Sequence, residues 1–382
     1  MQIGFFLSRP NQLRIHGPVI REAIRRGHEC RLLVPLDALH GHNMPGATPC
    51  PVEPLITPAQ VAAVDAFVGV AMLPHPMLPA ARVAAPRTLF CALPYLQEEL
   101  LRVLTDGMDA LQMWDLVGTG SQEGLEFLIG QLRLATGEDW LRKRVVPVGH
   151  TVLDGLEGMD SETCRLKHGL PAGQPIICFG TAARSHLLGK WRVGAYLARP
   201  AILANLMGMT AYIQILRAVR TYADRHGAFV LAKTRDKHRD PRYVRRYVDR
   251  IISDESHWPP TTLEVLMASH LYIGIASAMS IEAAACGLPQ YTFLPYDLRR
   301  AEHPLYLPFR QRFYLQAGGL WNSVALQSRR LDRDNFSQIL REAPWPTGPT
   351  QLGALYRITG QLGASEWFLH VLEQRRLDAQ NR

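Results

Sequence analysis

The chain alternates short apolar runs with amphipathic stretches, and glycine and proline separate them. In the first half the apolar runs predict strands, at residues 3–8, 30–36, 64–73, 86–93, 114–121 and 144–150. The stretch HGPVIREAIRRGHEC predicts a helix, because Pro18 suits a first helical turn and Gly27 suits the position just after a helix. Strand, helix and strand in this order predict a βαβ unit, and therefore a parallel sheet.

A second series of the same kind follows a polar stretch after residue 150. It predicts strands at 175–182, 228–234, 271–277 and 288–295, and helices at 211–227, 261–270, 278–286 and within 352–376. The expected fold class is α/β, with two doubly wound Rossmann-like domains facing a cleft. We expect an acceptor-side domain at 1–150, a donor-binding domain at 151–350, and C-terminal helices at 351–382 that pack back across the domains.

The length and composition limit the classes of protein that this chain belongs to. Its 382 residues exceed one ordinary core, and 47% hydrophobic with 20% charged residues is typical of a soluble globular protein. The net charge of +8 permits an acidic partner, but no polybasic tail or aromatic RNA platform is present, so we expect no nucleic-acid partner. The six cysteines lack zinc spacing, which predicts buried free thiols and no metal site.

The N-terminus and the hydropathy of the chain bear on its location. MQIGFFLSRP lacks a charged n-region and is typical of a first strand rather than of a signal peptide. No run of about 18 uncharged apolar residues predicts a membrane-spanning helix. The expected location is the cytoplasm. A peripheral position at the inner face of the membrane is the alternative.

The stretch SAMSIEAAACGLPQY joins a predicted buried strand to a short helix. Ser277 suits the N-cap of this helix, Ser280 falls in its first turn, and Glu282 follows closely. A helix N-terminus at the carboxyl edge of a parallel sheet predicts an anion site, because its backbone N–H groups are unpaired there. A carboxylate beside that site suits the hydroxyls of a ribose or sugar. The alternative is that Ser277 is only a cap and Glu282 only complements the helix dipole.

Two other predicted strand ends carry groups that bind phosphate. Lys233 and Arg235 follow one strand, where the ammonium and the guanidinium suit phosphate oxygens, although a solvated basic turn is the alternative. Gly180 and Thr181 end another strand, where small residues let a diphosphate approach, and Arg184 adds charge. The alternative for this second segment is an ordinary βα turn.

Four segments together resemble a known superfamily. SAMSIEAAACGLPQYTF resembles the segment ending in EA…G.P in the nucleotide-binding domain of GT-B glycosyltransferases, whose relatives include CDP-glycerol glycerophosphotransferases and UDP-N-acetylglucosamine 2-epimerases. TTLEVLMASHLYIGIAS resembles the helix and strand before it, and IHGPVIREAIRRGHEC resembles the first helix of the acceptor domain. VPVGHTVLDGL is similar to the interdomain GNP..D stretch, with His150 and Thr151 in place of Asn-Pro. The segments occur in the family's order.

The resemblance implies a metal-independent glycosyltransferase without a bound cofactor. Such an enzyme moves a sugar from a nucleotide-sugar donor to a hydroxyl of a carbohydrate or lipid-linked acceptor, in surface polysaccharide or glycolipid assembly. Many retaining members have a second glutamate where this chain has Gly274, so an inverting reaction is favoured. The alternatives are a CDP-glycerol-type glycerophosphotransferase, a UDP-sugar 2-epimerase and a non-catalytic nucleotide-binding protein.

The resemblance also implies where a catalytic base and the nucleobase lie. Several inverting members hold their base in the loop before the first helix, where we expect His16, although a capping or surface histidine is the alternative. Asp115 and Glu123, after the strand WDLVGTGS, are rival bases. Thr261 and Thr262 are predicted helix caps, in a segment that lies over the nucleobase in relatives.

Residues 187–210 are predicted to be an insertion. They are apolar and basic, Pro200 interrupts them, and they exceed the length of a simple βα connection. Such a segment suits contact with a lipid-linked acceptor or a membrane surface. The alternative is a dimer contact or an extra core helix.

Overall fold

The structure is a computed structural model, and its description covers most of the chain. The described residues are 1–41, 47–70, 76–93, 113–136, 138–181, 201–234, 242–253, 258–275, 277–293, 312–313, 333–346, 352–360 and 363–380. The chain divides into two compact units. Unit 1 contains Met1–Glu157, Ser256–Pro260 and Tyr356–Arg382, and unit 2 contains Gly158–Glu255 and Thr261–Leu355.

The described strands of unit 1 form a seven-stranded parallel sheet in the order β3-β2-β1-β4-β5-β6-β7. The strand order reverses at β1. Strands β2 and β3 lie on one side of β1, and strands β4 to β7 lie on the other. The strand bounds are β1 Gln2–Phe6, β2 Glu29–Pro35, β3 Val52–Leu55, β4 Ala66–Val70, β5 Leu89–Leu93, β6 Leu116–Thr119 and β7 Val145–Pro147.

Helices cover the strands of unit 1, and the C-terminal helix belongs to the same unit. Their bounds are α1 Leu13–Arg25, α2 Leu36–Gly41, α3 Met77–Ala84, α4 Gln122–Thr136, α5 Glu138–Arg144 and, from the end of the chain, α12 Ala364–Gln380. One buried cluster contains Ile3 and Phe5 of β1, Ile20 of α1, and Phe368 and Leu372 of α12. The C-terminal helix therefore contributes to the core of the N-terminal sheet.

Unit 2 is built around a five-stranded parallel sheet in the order β10-β9-β8-β11-β12. The strand bounds are β8 Ile176–Gly180, β9 Phe229–Lys233, β10 Arg250–Ile252, β11 Leu271–Ile275 and β12 Gln290–Phe293. Its helices are α6 Ser161–Lys167, α7 Ala201–Arg225, α8 Thr262–Met267, α9 Ala278–Ala285 and α10 Arg333–Glu342, and α11 Leu352–Thr359 spans the boundary between the units. The two faces of the sheet are covered by separate apolar clusters, one with α7 and the other with α8 and α9.

The predicted α/β class with two parallel sheets is confirmed, whereas several element bounds differ. The short strands β3 and β10 were not predicted, and the helix expected at 211–227 begins ten residues earlier, at Ala201. The expected insertion at 187–210 therefore includes the start of α7, and its residues 187–200 lie outside the described residues. Cys30, Cys50, Cys91, Cys164 and Cys178 are buried free thiols as predicted, and Cys286 is a half-buried one.

Candidate functional site

The candidate donor site lies where the strand order of unit 2 reverses, between β8 and β11. Both strands are parallel, so Gly180 at the end of β8 and Ile275 at the end of β11 lie at the same edge of the sheet. In doubly wound sheets ligands bind at this switch point, because the helices that follow the two strands diverge to opposite faces. The topology therefore selects the segments after Gly180 and Ile275 among the described parts of unit 2.

The floor of this switch point is formed by two glycines and a tyrosine. Gly180 and Gly274 are partners in the β8–β11 register, and both face the side chain of Tyr272. A Cβ atom on Gly180 would lie 2.6 Å from the Tyr272 hydroxyl, and one on Gly274 would also overlap that hydroxyl. The Tyr272 hydroxyl fills the space that a Cβ atom on Gly180 would occupy, and the expectation that a diphosphate approaches at Gly180 stays a prediction.

Lys233 is buried at the end of the neighbouring strand β9. It is 3% exposed and is paired in register with Gly180. The backbone N–H of Thr181 donates to the Lys233 carbonyl over 3.2 Å, and the Thr181 hydroxyl donates to the same carbonyl over 3.3 Å. Burial raises the pKa of the Cys178 thiol to about 12, and the Lys233 ammonium acts in the opposite direction. The Lys233 ammonium is therefore close enough to the buried Cys178 to affect its pKa, beside the switch point.

The helix that follows β11 starts with two serines, which lie at their predicted positions. The Ser277 N–H donates to the Ser280 hydroxyl over 3.2 Å, and that hydroxyl donates to the Ser277 carbonyl over 2.6 Å. Ser277 is the N-cap residue of α9, as predicted, and it forms a capping box with Ser280. The Ser277 hydroxyl oxygen is buried.

Glu282 lies in the second turn of α9 and is 1% exposed. Burial raises the pKa of the Cys286 thiol, and the Glu282 carboxylate adds to that rise. The carboxylate therefore lies near the core cluster that covers this face of the sheet, rather than on the helix surface. Gln290 of β12 donates to the Ser280 carbonyl over 2.6 Å and ties the helix to the sheet. That this buried carboxylate accepts from ligand hydroxyls stays a prediction.

Of the other expected donor-site residues, the structure describes Thr261 and Thr262. Thr261 directly precedes α8 and makes no side-chain cap bond, while Thr262 is the first residue of that helix and is buried. Thr261 therefore lies at the predicted N-cap position, without a side-chain cap bond. Trp258, just before them, belongs to unit 1 and packs against Gly17 of α1. Arg184 and Arg235 lie outside the described residues.

His16 lies in α1, not in the loop before it, and is fully buried. Its Nε2 atom lies 3.0 Å from the carbonyl of Phe6, the last residue of β1. Since a carbonyl only accepts, Nε2 carries the proton, and Nδ1 is left as an acceptor with no partner in the described part of the chain. Burial lowers the pKa of His16 to about 4. The imidazole is therefore neutral near pH 7, beside the switch point of the first sheet.

Asp115 precedes β6 and lies at the amino edge of the sheet, so its expected position after that strand is wrong. Its two oxygens accept from the Arg82 guanidinium over 2.7 and 2.8 Å, and one of them also accepts from the Phe90 N–H over 2.9 Å. These bonds tie α3 and β5 to the start of β6. The Asp115 carboxylate therefore holds these elements together. It lies at the edge opposite to the one where ligands bind in doubly wound sheets.

Glu123 lies in the first turn of α4, after β6, at the carboxyl edge. Arg357 holds it through two bonds, of 2.8 Å to Oε2 and 2.7 Å to Oε1. Next to this pair, the Ser121 hydroxyl donates to the Arg357 carbonyl over 2.5 Å. A bidentate guanidinium partner favours the ionised carboxylate and lowers its basicity, so Glu123 is a weaker candidate base than its position suggests.

Two structural features were not found from the sequence. Tyr272 was missed because its place above both glycines depends on the β8–β11 register, although paired strand-end glycines near an aromatic residue are a usable signal. Asp154 of the GNP..D-like stretch was assigned no task. It accepts from the backbone N–H groups of Gly363, Ala364 and Ser365, and so caps α12.

The part of the chain that the structure describes contains neither a metal cluster nor a membrane-spanning helix. Within the described ranges no group of three or more His, Cys, Asp or Glu side chains is arranged to hold a metal ion. Among the helices that the structure describes, none is long and apolar enough to cross a bilayer.

Comparison with solved structures identifies the fold. The chain is similar to the wall teichoic acid polymerase TagF, with a TM-score of 0.56 and 11% identity over 100% of this chain and 90% of that one. It is similar to the UDP-GlcNAc 2-epimerase from Methanocaldococcus jannaschii, with a TM-score of 0.53 and 11% identity over 98% and 100%. It is also similar to MnaA from S. aureus in complex with UDP, with a TM-score of 0.51 and 12% identity over 98% and 96%.

These likenesses extend over the whole chain and show that it has the GT-B fold. No known protein family and no curated protein matches the sequence.

Proposed function

We propose that the chain is a glycosyltransferase that takes a sugar from a nucleotide-sugar donor and transfers it to an acceptor hydroxyl. The observation that carries the proposal is the switch point of unit 2. There a buried lysine, Lys233, and the start of α9 at Ser277 lie at the ends of strands along the same sheet edge. The buried carboxylate of Glu282 lies one turn into that helix. Cationic and N–H groups suit a diphosphate, and a carboxylate suits hydroxyls.

These groups account for departure of the nucleotide. When the bond between the anomeric carbon and the diphosphate breaks, negative charge grows on the diphosphate oxygens. The Lys233 ammonium and the N-terminal N–H groups of α9 stabilise that charge, and their low-dielectric surroundings strengthen the effect. In this proposal the donor is a substrate, no bound cofactor takes part, and fixed protein charges do the work that a metal ion does in other transferases.

The acceptor hydroxyl needs a base, and the proposal retains His16 as the first candidate. The proton would move to Nδ1, since Nε2 is bound to the Phe6 carbonyl. A pKa of about 4 makes this imidazole a weak base in its present surroundings. The role therefore requires solvent or substrate to reach Nδ1, and Glu123 is the second candidate.

A second reaction has specific support from the comparison with TagF. That protein is a wall teichoic acid polymerase, a variant of which has been solved with CDPG, and its likeness covers all of this chain. The same donor site would then bind CDP-glycerol, and the acceptor oxygen would attack phosphorus instead of a sugar carbon. CMP would leave, whereas glycosyl transfer releases a nucleoside diphosphate.

Product analysis tests the proposal and separates the two reactions. The protein is incubated with UDP-, GDP- and TDP-sugars and with CDP-glycerol, with and without lipid-linked acceptors, and released nucleotides are separated by anion-exchange chromatography. We expect acceptor-dependent release of a nucleoside diphosphate that falls at least tenfold in Lys233→Met. Release of CMP would replace glycosyl transfer by the second reaction. Turnover without any acceptor would indicate an epimerase, and no turnover with any donor would contradict both transferases.

A further inference from the structure

Thr292 of β12 is a buried polar residue that the donor site described above does not include. It is 3% exposed. Its hydroxyl forms no hydrogen bond with any residue that the structure describes, and the oxygen is not fully enclosed. A buried hydroxyl without a partner costs free energy, and a ligand that accepts from it recovers that cost.

The sheet register places Thr292 in one row with the residues of the switch point. Thr292 pairs with Gly274, Gly274 pairs with Gly180, and Gly180 pairs with Lys233. Paired residues of neighbouring strands point to the same face of a sheet. The row therefore crosses the switch point, with the Lys233 side chain at one end, the Thr292 hydroxyl at the other, and two glycines between them.

The neighbouring residues of β12 show which face of the sheet Thr292 points to. Tyr291 points to the side of α7, where its hydroxyl donates to the Pro344 carbonyl over 2.9 Å. Gln290 points to the opposite side, where its amide donates to the Ser280 carbonyl of α9 over 2.6 Å. Because side chains alternate along a strand, Thr292 lies on the same face as Gln290 and therefore faces α9.

The direction of α9 places Thr292 beside the first turn of that helix. Since α9 connects two parallel strands, it runs antiparallel to β12, from the carboxyl edge of the sheet back towards the amino edge. From Gln290 to Thr292 the strand advances about 6.6 Å towards the carboxyl edge. From Ser280 back to Ser277 the helix advances about 4.5 Å in the same direction. Because Gln290 contacts Ser280, Thr292 lies next to the N-cap residue of α9.

We propose that Thr292 is a further donor-site residue, whose hydroxyl donates a hydrogen bond to a phosphate oxygen of the nucleotide held at the start of α9. This assignment rests on the proposed nucleotide-donor function. The backbone N–H groups of a first helical turn attract an anion, and a hydroxyl beside them adds a charge-assisted hydrogen bond. Thr292 therefore recognises the phosphates of the donor, and it contributes nothing to the choice of base.

The affinities of a nucleotide and of its nucleoside test this contact. UDP, CDP, GDP, ADP and TDP are titrated into the full chain by calorimetry, and the one that binds most tightly is compared with its nucleoside. We expect Thr292→Val to weaken binding of the nucleoside diphosphate about tenfold, because it loses a hydrogen bond to a charged group. The Kd of the nucleoside should stay within about twofold, since a nucleoside carries no phosphate. Thr292→Ser keeps the hydroxyl and should retain most of the affinity.

Urea unfolding and a control on the opposite face of β12 separate this contact from a structural role. Thr292→Val should leave the unliganded protein at least as stable, because it removes a hydroxyl that lacks a protein partner. Tyr291→Phe removes the bond to the Pro344 carbonyl, and it should lower stability without changing the Kd of either ligand.

The outcomes distinguish this inference from the proposed function. If the wild type binds a nucleoside diphosphate and Thr292→Val leaves its Kd unchanged, or weakens the nucleoside equally, Thr292 is not a phosphate contact while the proposed donor site stands. If the wild type binds none of the five nucleotides, the proposed function and this inference are both wrong.

Discussion

At the scale of single residues, the pairing of glycine and tyrosine at the end of β8 makes a direct prediction. Gly180→Ala would place a methyl group 2.6 Å from the Tyr272 hydroxyl and 2.9 Å from its ring. Overpacking of this kind costs about 1–3 kcal/mol, and we expect a loss of that size in the free energy of unfolding measured in urea. The double variant with Tyr272→Phe should recover part of the loss, since the hydroxyl is the nearest atom. If the stability losses of Gly180→Ala and Tyr272→Phe simply added in the double variant, the tyrosine would not occupy this space.

The buried histidine predicts a dependence of stability on pH. Burial lowers the pKa of His16 from 6.5 to about 4, so the folded protein binds fewer protons than the unfolded chain between these values. Stability is therefore lost as the pH falls from 6.5 towards 4, by roughly 3 kcal/mol at most.

Urea unfolding at pH 7.5 and pH 4.5 measures this contribution. The wild type should lose more stability between the two pH values than His16→Gln, which cannot titrate there. Equal losses would mean that the imidazole is accessible to protons in the folded protein, and would make His16 a better base than its burial indicates.

At the scale of secondary-structure elements, Asp154 determines how the C-terminal helix begins. Its carboxylate caps α12 through three backbone N–H groups, and that helix contributes Phe368 and Leu372 to the core of unit 1. Asp154→Ala should cost about 1–2 kcal/mol. Hydrogen exchange should accelerate over residues 364–380.

Asp160→Ala is the matched control for this prediction. Asp160 caps α6 by accepting from the Thr163 N–H over 2.9 Å, so its loss should accelerate exchange in residues 161–167 only. If both variants changed α12 equally, or if Asp154→Ala left its exchange unchanged, the cap would not stabilise this helix.

The elements also show what the sequence could and could not predict. The strands β8, β9 and β11 were predicted because they are apolar on both faces and end in small or polar residues. The edge strand β3 was missed because VEPL contains a proline and is mostly exposed. His16 was placed in a loop because Pro18 suggested that the helix starts there, whereas α1 begins at Leu13 and includes Pro18.

At the scale of the whole molecule, the proposed function depends on two parallel sheets, and in each of them the strand order reverses. The α/β class followed from the alternation of strands and helices, and so did the choice of a candidate ligand-binding edge in the second sheet. The C-terminal helices at 351–382 were predicted to pack back across the domains, whereas the segment 256–260 was not predicted to belong to unit 1, because its contacts are distant in sequence. Which charges are already paired, such as Glu123 with Arg357, also depends on those distant contacts.

Nucleotide binding at the switch point of unit 2 is the central claim, and a thermal-shift panel tests it most directly. UDP, CDP, GDP, ADP and TDP are compared on the wild type, Lys233→Met and Ser277→Ala, with Ser161→Ala as the control serine. We predict that one nucleotide at a hundred times its Kd stabilises the wild type and Ser161→Ala by about 2.7 kcal/mol. The shift should be much smaller in Lys233→Met and reduced in Ser277→Ala. No shift with any nucleotide, or an equal shift in all four proteins, would contradict the claim.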